Sequence, residues 1–225
     1  MPRLSAVLKA GYVAVAAVDA LLAGSASPRM HRARMVTKPL LMPLLAGSLV
    51  TAPAGSPLRT PVLAAQAAGW VGDVALLSED RGRFRIGAGA FAVGHLAYIS
   101  GFTGLRRHDS GPWQERPARA LAGVWAVTAP AVIRRARGEG LAMPVAGYSL
   151  VLTSMVVTAT RLDETVSART RRRAAAGALL FLASDSILSA RRFLVHDPPA
   201  LMEGVVMATY TAGQFLLSES AASPT

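Results

Sequence analysis

The chain has 225 residues, 52% of them hydrophobic and 16% charged, with a formal net charge of +11. So apolar a chain is not an ordinary soluble domain. Its basic residues sit in loops beside apolar runs, where anionic lipid headgroups rather than nucleic acid are the expected partner. Cysteine is absent, which excludes disulfides, a thiolate metal site and a cysteine nucleophile.

Runs of the length that crosses a bilayer, about 17–25 mainly apolar residues, are predicted at 4–24, 38–54, 61–78, 86–105, 118–133, 141–160, 174–190 and 200–218. The expected fold class is therefore all-α, a polytopic membrane helix bundle of about eight transmembrane helices forming a single domain over residues 1–225. The first run, with Arg3 and Lys9 ahead of AGSAS, has the outline of a secretory signal. Asp19 interrupts it and seven more runs follow, so a retained first helix is expected. An even number of spans puts both termini on one face, side A, and the loops 25–37, 79–85, 134–140 and 191–199 on side B. Basic residues near the span ends are almost evenly divided. The short loops of side B tip that side slightly toward the cytoplasm. With only Lys9 and Lys38 against many arginines, a multi-pass protein of a bacterial inner membrane is expected.

The polar residues inside the runs fall into stripes. On the second run Lys38 stands at the side B mouth, and Pro39 and Pro43 lie near the expected helix start, where proline is tolerated. On the third, Gln66, Gly69 and Asp73 share a helical face; on the fourth, Phe91, Gly94, His95, Tyr98 and Phe102 do. The eighth carries Glu203, Met207, Tyr210 and Gln214 at the same spacing. Ionisable groups in membranes face the bundle interior, and small residues beside them let helices approach. Counted from side B at 1.5 Å per residue, Asp19, Asp73 and Asp185 lie at one depth, about 7–8 Å in. His95 is deeper, and Tyr210 and Gln214 deeper still. A cavity open to side B is expected to collect these groups. Asp19 is the weakest candidate, since a lone Asp near a helix end can reach water. A faint echo between GDVALLSEDRGRF (72–84) and SDSILSARRF (184–193) hints at a four-plus-four duplication that would set Asp73 and Asp185 facing each other.

Several chemistries are disfavoured. Catalytic zinc usually takes three protein ligands including two His, and only His95 of the four His lies within a span, so no metal and no cofactor is expected. No Gly-x-Ser-x-Gly elbow is present. A carrier is the serious alternative, because membrane carboxylates also mark ion paths. A noncatalytic lipid-binding protein is a third class. It predicts that Asp73 and Asp185 engage different helix neighbours instead of sharing a cavity.

Six segments in order, TKPLLMPLLAG (37–47), GDVALL (72–77), GAFAVGHLAYISGF (89–102), YSLVLTSM (148–155), GALLFLASDSILSARRF (177–193) and MATYTAGQFLL (207–217), resemble the lysoplasmalogenase family of membrane proteins, also called YhhN-like. They cover every span except the first and fifth. The resemblance implies an eight-helix bundle that hydrolyses the vinyl ether of a lysoplasmalogen, an alkenyl glycerophosphocholine or glycerophosphoethanolamine, to a fatty aldehyde and a glycerophospho-alcohol. It also implies that Asp73 of the GD motif and Asp185 of the SD motif are the catalytic pair.

The chemistry suits that pair. Protonating the outer vinyl carbon leaves an oxocarbenium ion, water attacks it, and the hemiacetal collapses. Two carboxyl groups in different surroundings can supply the acid, the nearby negative charge and the base, as glycosidases do for a similar cation. Asp185 is taken as the acid and Asp73 as the base. His95 is placed with them to orient the water or share the base role. Tyr98, Tyr210 and Gln214 are expected on the substrate side as hydrogen-bonding groups, and Lys38, Arg81 and Arg191 at the side B mouth as phosphate ligands. The blander alternatives are a bundle histidine at His95, interhelical glue at Tyr210 and Gln214, a structural Asp73 or Asp185 paired with Lys38 or an Arg, and ordinary loop charge at the arginines.

Overall fold

The computed structural model describes residues 2–78, 80–106 and 116–222. Among them are eight α-helices: α1 (Pro2–Ala23), α2 (Pro28–Val50), α3 (Arg59–Ala75), α4 (Arg81–Thr103), α5 (Arg116–Ala136), α6 (Ala142–Ala159), α7 (Ala168–Phe193) and α8 (Ala200–Ala221). The chain is an all-α bundle, as the eight apolar runs predict. Local chemistry sets the ends. Pro28 opens α2 directly after the extended Ser27, a position where proline loses no helical hydrogen bond. Asp80 caps α4 by accepting from the Arg83 N–H at 2.9 Å, and Ser167 caps α7 by accepting from the Thr170 N–H at 3.2 Å. After α5 a short 3₁₀ turn ends at Gly140, whose φ of 68° is open to glycine at little cost.

Seven helices close a ring in the order α1, α2, α3, α4, α6, α7, α8 and back to α1, while α5 stands outside it against α6 and α7. The tightest seam joins α7 to α8. A Cβ placed on Gly177 would lie 2.8 Å from the Gly213 carbonyl oxygen, and one on Gly213 would lie 2.9 Å from that of Gly177. The two backbones touch there, as small residues allow in membrane bundles.

Several helices begin earlier than the apolar runs suggest, α2 and α7 by the most. The second starts at Pro28 instead of residue 38, so most of the expected loop 25–37 is helical. Hydropathy hides this because Arg34 interrupts the apolar pattern, yet Arg34 is buried, with Nε 3.5 Å from Asp19 and Nη1 3.2 Å from Glu203. Pro39 and Pro43 consequently lie in the helix interior instead of near its start. Pro43 has no N–H for the Pro39 carbonyl four residues back, and the Trp70 indole N–H of α3 donates to that oxygen at 2.9 Å instead. The seventh helix starts at Ala168 instead of 174, carrying the arginines of 169–173 on its first turns.

Four helices, α1, α4, α6 and α7, are long and apolar enough to cross a membrane by length and composition. At 17 residues α3 is short, and α8 places Tyr210, Thr211, Gln214 and Ser218 in the interior, which lowers its hydropathy without exposing those groups. The outer surface carries large apolar side chains, Leu21 being 77%, Val127 79% and Met143 81% exposed. An apolar exterior around a partly polar interior describes an integral membrane protein.

Candidate functional site

A cavity of about 510 Å³ lies between α4, α5, α6 and α7, within the range usual for ligand sites. Its wall is largely apolar, with Phe91, Leu121, Val124, Leu152 and Leu182 among the lining residues, and its main polar groups are Tyr148, Ser149, Asp185, Ser189 and Arg192. The last two belong to the side B end of α7.

Asp185 reaches this wall from α7. Its Oδ2 accepts a short hydrogen bond from the Tyr148 hydroxyl of α6, and the same hydroxyl lies 3.1 Å from Nε2 of His95 on α4. Three helices thus contribute one group each to a carboxyl, phenol and imidazole chain. Its direction is reversible. With Asp185 ionised, Tyr148 donates to the carboxylate and His95 Nε2–H donates to Tyr148. With Asp185 protonated, the carboxyl donates to Tyr148 and Tyr148 donates to a bare Nε2. His95 is 1% exposed, its ring meets that of Phe181 edge-on at 4.7 Å, and its Nδ1 has no hydrogen-bond partner among the described residues.

Asp73 belongs to a second cluster. Its Oδ1 lies 3.7 Å from Lys38 Nζ and its Oδ2 accepts from the Tyr210 hydroxyl at 2.7 Å. Gln214 Nε2 donates to the Tyr210 oxygen at 3.5 Å, and Tyr98 donates to Gln214 Oε1 at 2.7 Å. This network ties α2, α3, α4 and α8 together and is buried throughout. Gly69 makes room for it: a Cβ there would sit 3.4 Å from Gln214 Nε2. Gln66, one turn away on the same stripe, is fully buried with neither side-chain polar atom bonded to a described residue.

A partition of aromatic rings stands between the two clusters. Phe91 and Phe181 meet edge to face at 6.0 Å, and each packs edge-on against Tyr210, at 5.8 and 5.3 Å. Phe91 also lines the cavity, whereas Asp73 does not. The two aspartates have different partners, Asp73 does not line the cavity that Asp185 lines, and α3 and α7 are not neighbours in the ring. In place of the expected shared cavity, Asp185 stands on the wall of this one and Asp73 is held in a buried network apart from it.

The other predicted residues fall as follows. Lys38 is buried, 6% exposed, and held by Asp73 instead of standing at a mouth. Asp19 does not reach water: it is fully buried, accepting from Thr37 at 2.5 Å and paired with Arg34. Arg191 Nη1 is 3.3 Å from Glu203, facing α8 and away from the cavity, and Arg81 is exposed at the start of α4. Tyr148 and Arg192 are additional residues of the cavity wall. Tyr148 had a readable signal, since Tyr148, Leu152, Met155 and Ala159 recur at helical spacing, the last three buried.

The YhhN family profile matches residues 33–221, from within α2 to the last residue of α8, and so takes in both clusters and the whole cavity. The chain belongs to the YhhN family. No curated protein and no solved structure matches it. The YhhN match leaves out α1, whose Asp19 and Tyr12 nevertheless anchor the bundle, Tyr12 donating to the Thr211 carbonyl at 2.8 Å.

Proposed function

We propose that the chain is a lysoplasmalogenase-like hydrolase that cleaves the vinyl ether of a single-tailed alkenyl glycerophospholipid. The observation that carries this reading is the position of Asp185 and Tyr148 on the wall of an otherwise apolar cavity in a YhhN protein. An alkenyl chain fits such a wall, and its one reactive group would meet the one carboxyl group there.

The reaction balances on Asp185. The protonated carboxyl gives its proton to the outer vinyl carbon, and the C=C electron pair forms the new C–H bond while the ether oxygen shares the resulting positive charge. The Asp185 carboxylate then takes a proton from the water that attacks the carbon next to oxygen, which restores the acid. Breakdown of the hemiacetal moves the hydroxyl proton to the leaving glycerol oxygen, releasing aldehyde and glycerophospho-alcohol. Tyr148 steadies the carboxyl in either state, and His95 completes the chain behind it. Asp73, on the far side of Phe91 and Phe181, contributes a fixed negative charge near the cation instead of exchanging protons with the substrate.

Aldehyde release from lysoplasmalogen by the purified protein in detergent tests this. Asp185→Asn is expected to lose at least about 100-fold in kcat, and Asp73→Asn to lose less. A noncatalytic lipid-binding protein is the second reading, favoured by the engagement of Asp73 with Lys38 and Tyr210 apart from the cavity. Wild-type protein that binds the lipid and releases no aldehyde would decide for it.

A further inference from the structure

Asp185, Ser189 and Arg192 follow one another at i, i+4 and i+7 on α7, and all three line the cavity. Residues so spaced share a helix face, so the wall presents a carboxyl, a hydroxyl and a guanidinium in a line toward side B. Seven residues span about 10 Å along the axis at 1.5 Å per residue. Among the described cavity-lining residues Arg192 is the one basic side chain.

The Arg192 guanidinium is positioned and has capacity left. It lies over the Phe84 ring at 4.2 Å from the centroid, and its Nη2 is 2.9 Å from Glu139 Oε2. Its Nε is buried and unpartnered among the described residues. The edge formed by Nε and Nη2 is the edge that grips two oxygens of a phosphate, and here one of its donors is idle. Glu139, 30% exposed, holds the other at the rim, where an incoming anion can displace it.

Resting on the hydrolase reading above, we propose that Arg192 binds the phosphate of the substrate and that its spacing from Asp185 selects the bond to be cleaved. From the outer vinyl carbon to the phosphorus of a lysolipid there are about seven bonds, roughly 8 Å when extended at the ~3.5 Å per three bonds of a stretched chain. With the phosphate on Arg192, the vinyl ether falls at the level of Asp185 and the free hydroxyl of the glycerol passes Ser189.

The experiment compares an alkenyl glycerophospholipid with the matching alkenylglycerol, which lacks the phosphate. Arg192→Gln is expected to reduce the kcat/KM preference for the phosphate-bearing substrate at least tenfold, chiefly through its KM. Arg192→Lys falls between the two, and Glu139→Gln, which removes the competitor, lowers that KM. Binding of a non-hydrolysable alkyl glycerophospholipid, followed by thermal shift, gives a readout independent of turnover, and Arg192→Gln is expected to weaken it tenfold or more. An unchanged preference and unchanged analogue binding in Arg192→Gln would overturn the assignment. Equal losses toward both substrates would also overturn it, as a structural defect. If wild type released no aldehyde from either substrate, the hydrolase reading would fail, and analogue binding would still decide the role of Arg192 as a phosphate ligand.

Discussion

Tyr148 touches both Asp185 and His95, so it is the residue through which a proton on one is felt at the other. Tyr148→Phe keeps the ring and removes the hydroxyl. It is expected to lower kcat about tenfold or more with little change in KM, since the lost bond acts on the reacting carboxyl and not on the bound lipid. At Asp73 the consequence is for stability. Asp73→Asn leaves the buried Lys38 ammonium without its counter-charge, which costs about 3 kcal/mol. Adding Lys38→Met removes the uncompensated charge, so the double variant should unfold in detergent at a higher temperature than Asp73→Asn alone. A double variant no more stable would mean that Lys38 and Asp73 are not coupled. The residue types themselves were legible in the sequence, because an Asp or a His in an apolar run stands out. Their company was not: Asp73 and Asp185 lie at similar depth and read alike, and only the rings of Phe91 on α4 and Phe181, one turn before Asp185 on α7, separate them.

At the scale of the helix, α2 and α3 share a repair that yields a test. Trp70→Phe leaves the Pro39 carbonyl without its donor, at a cost of about 1 kcal/mol. Pro43→Ala supplies a backbone N–H four residues on, the ordinary helical partner of that carbonyl. The double variant is therefore expected to recover the thermal stability that Trp70→Phe loses, measured in the same detergent. Non-additivity of this kind is the signature of one shared acceptor. Sequence located every helix by its apolar run but misplaced the start of α2 by ten residues, because a hydropathy scan rejects charge wherever it occurs. Arg34 belongs inside the helix only because Asp19 and Glu203 come from α1 and α8 to meet it, and no local pattern announces partners so distant in the chain.

For the molecule as a whole, ring order was the part least readable from sequence. Stripes tell which face of a helix is buried and not which helix it meets, so nothing in the runs indicates that α4 adjoins α6 while α5 is left outside. That order creates the cavity, and it predicts how the tail lies. With Arg192 at the side B end, the far end is walled by Leu121 and Trp125 of α5 and Leu152 and Thr153 of α6. Thr153→Trp is expected to shorten this end, raising KM several-fold for long-chain substrates while short-chain ones are little affected. A parallel loss across chain lengths would place the tail elsewhere.

The helix outside the ring is α5, which packs against α6 and α7. A wall that bears none of the closure of the bundle can be redrawn freely. Substitutions on the cavity face of α5 should therefore change which lipid tails are accepted while the ring keeps its melting temperature, so that in this scaffold the evolution of substrate range is separated from the maintenance of the fold.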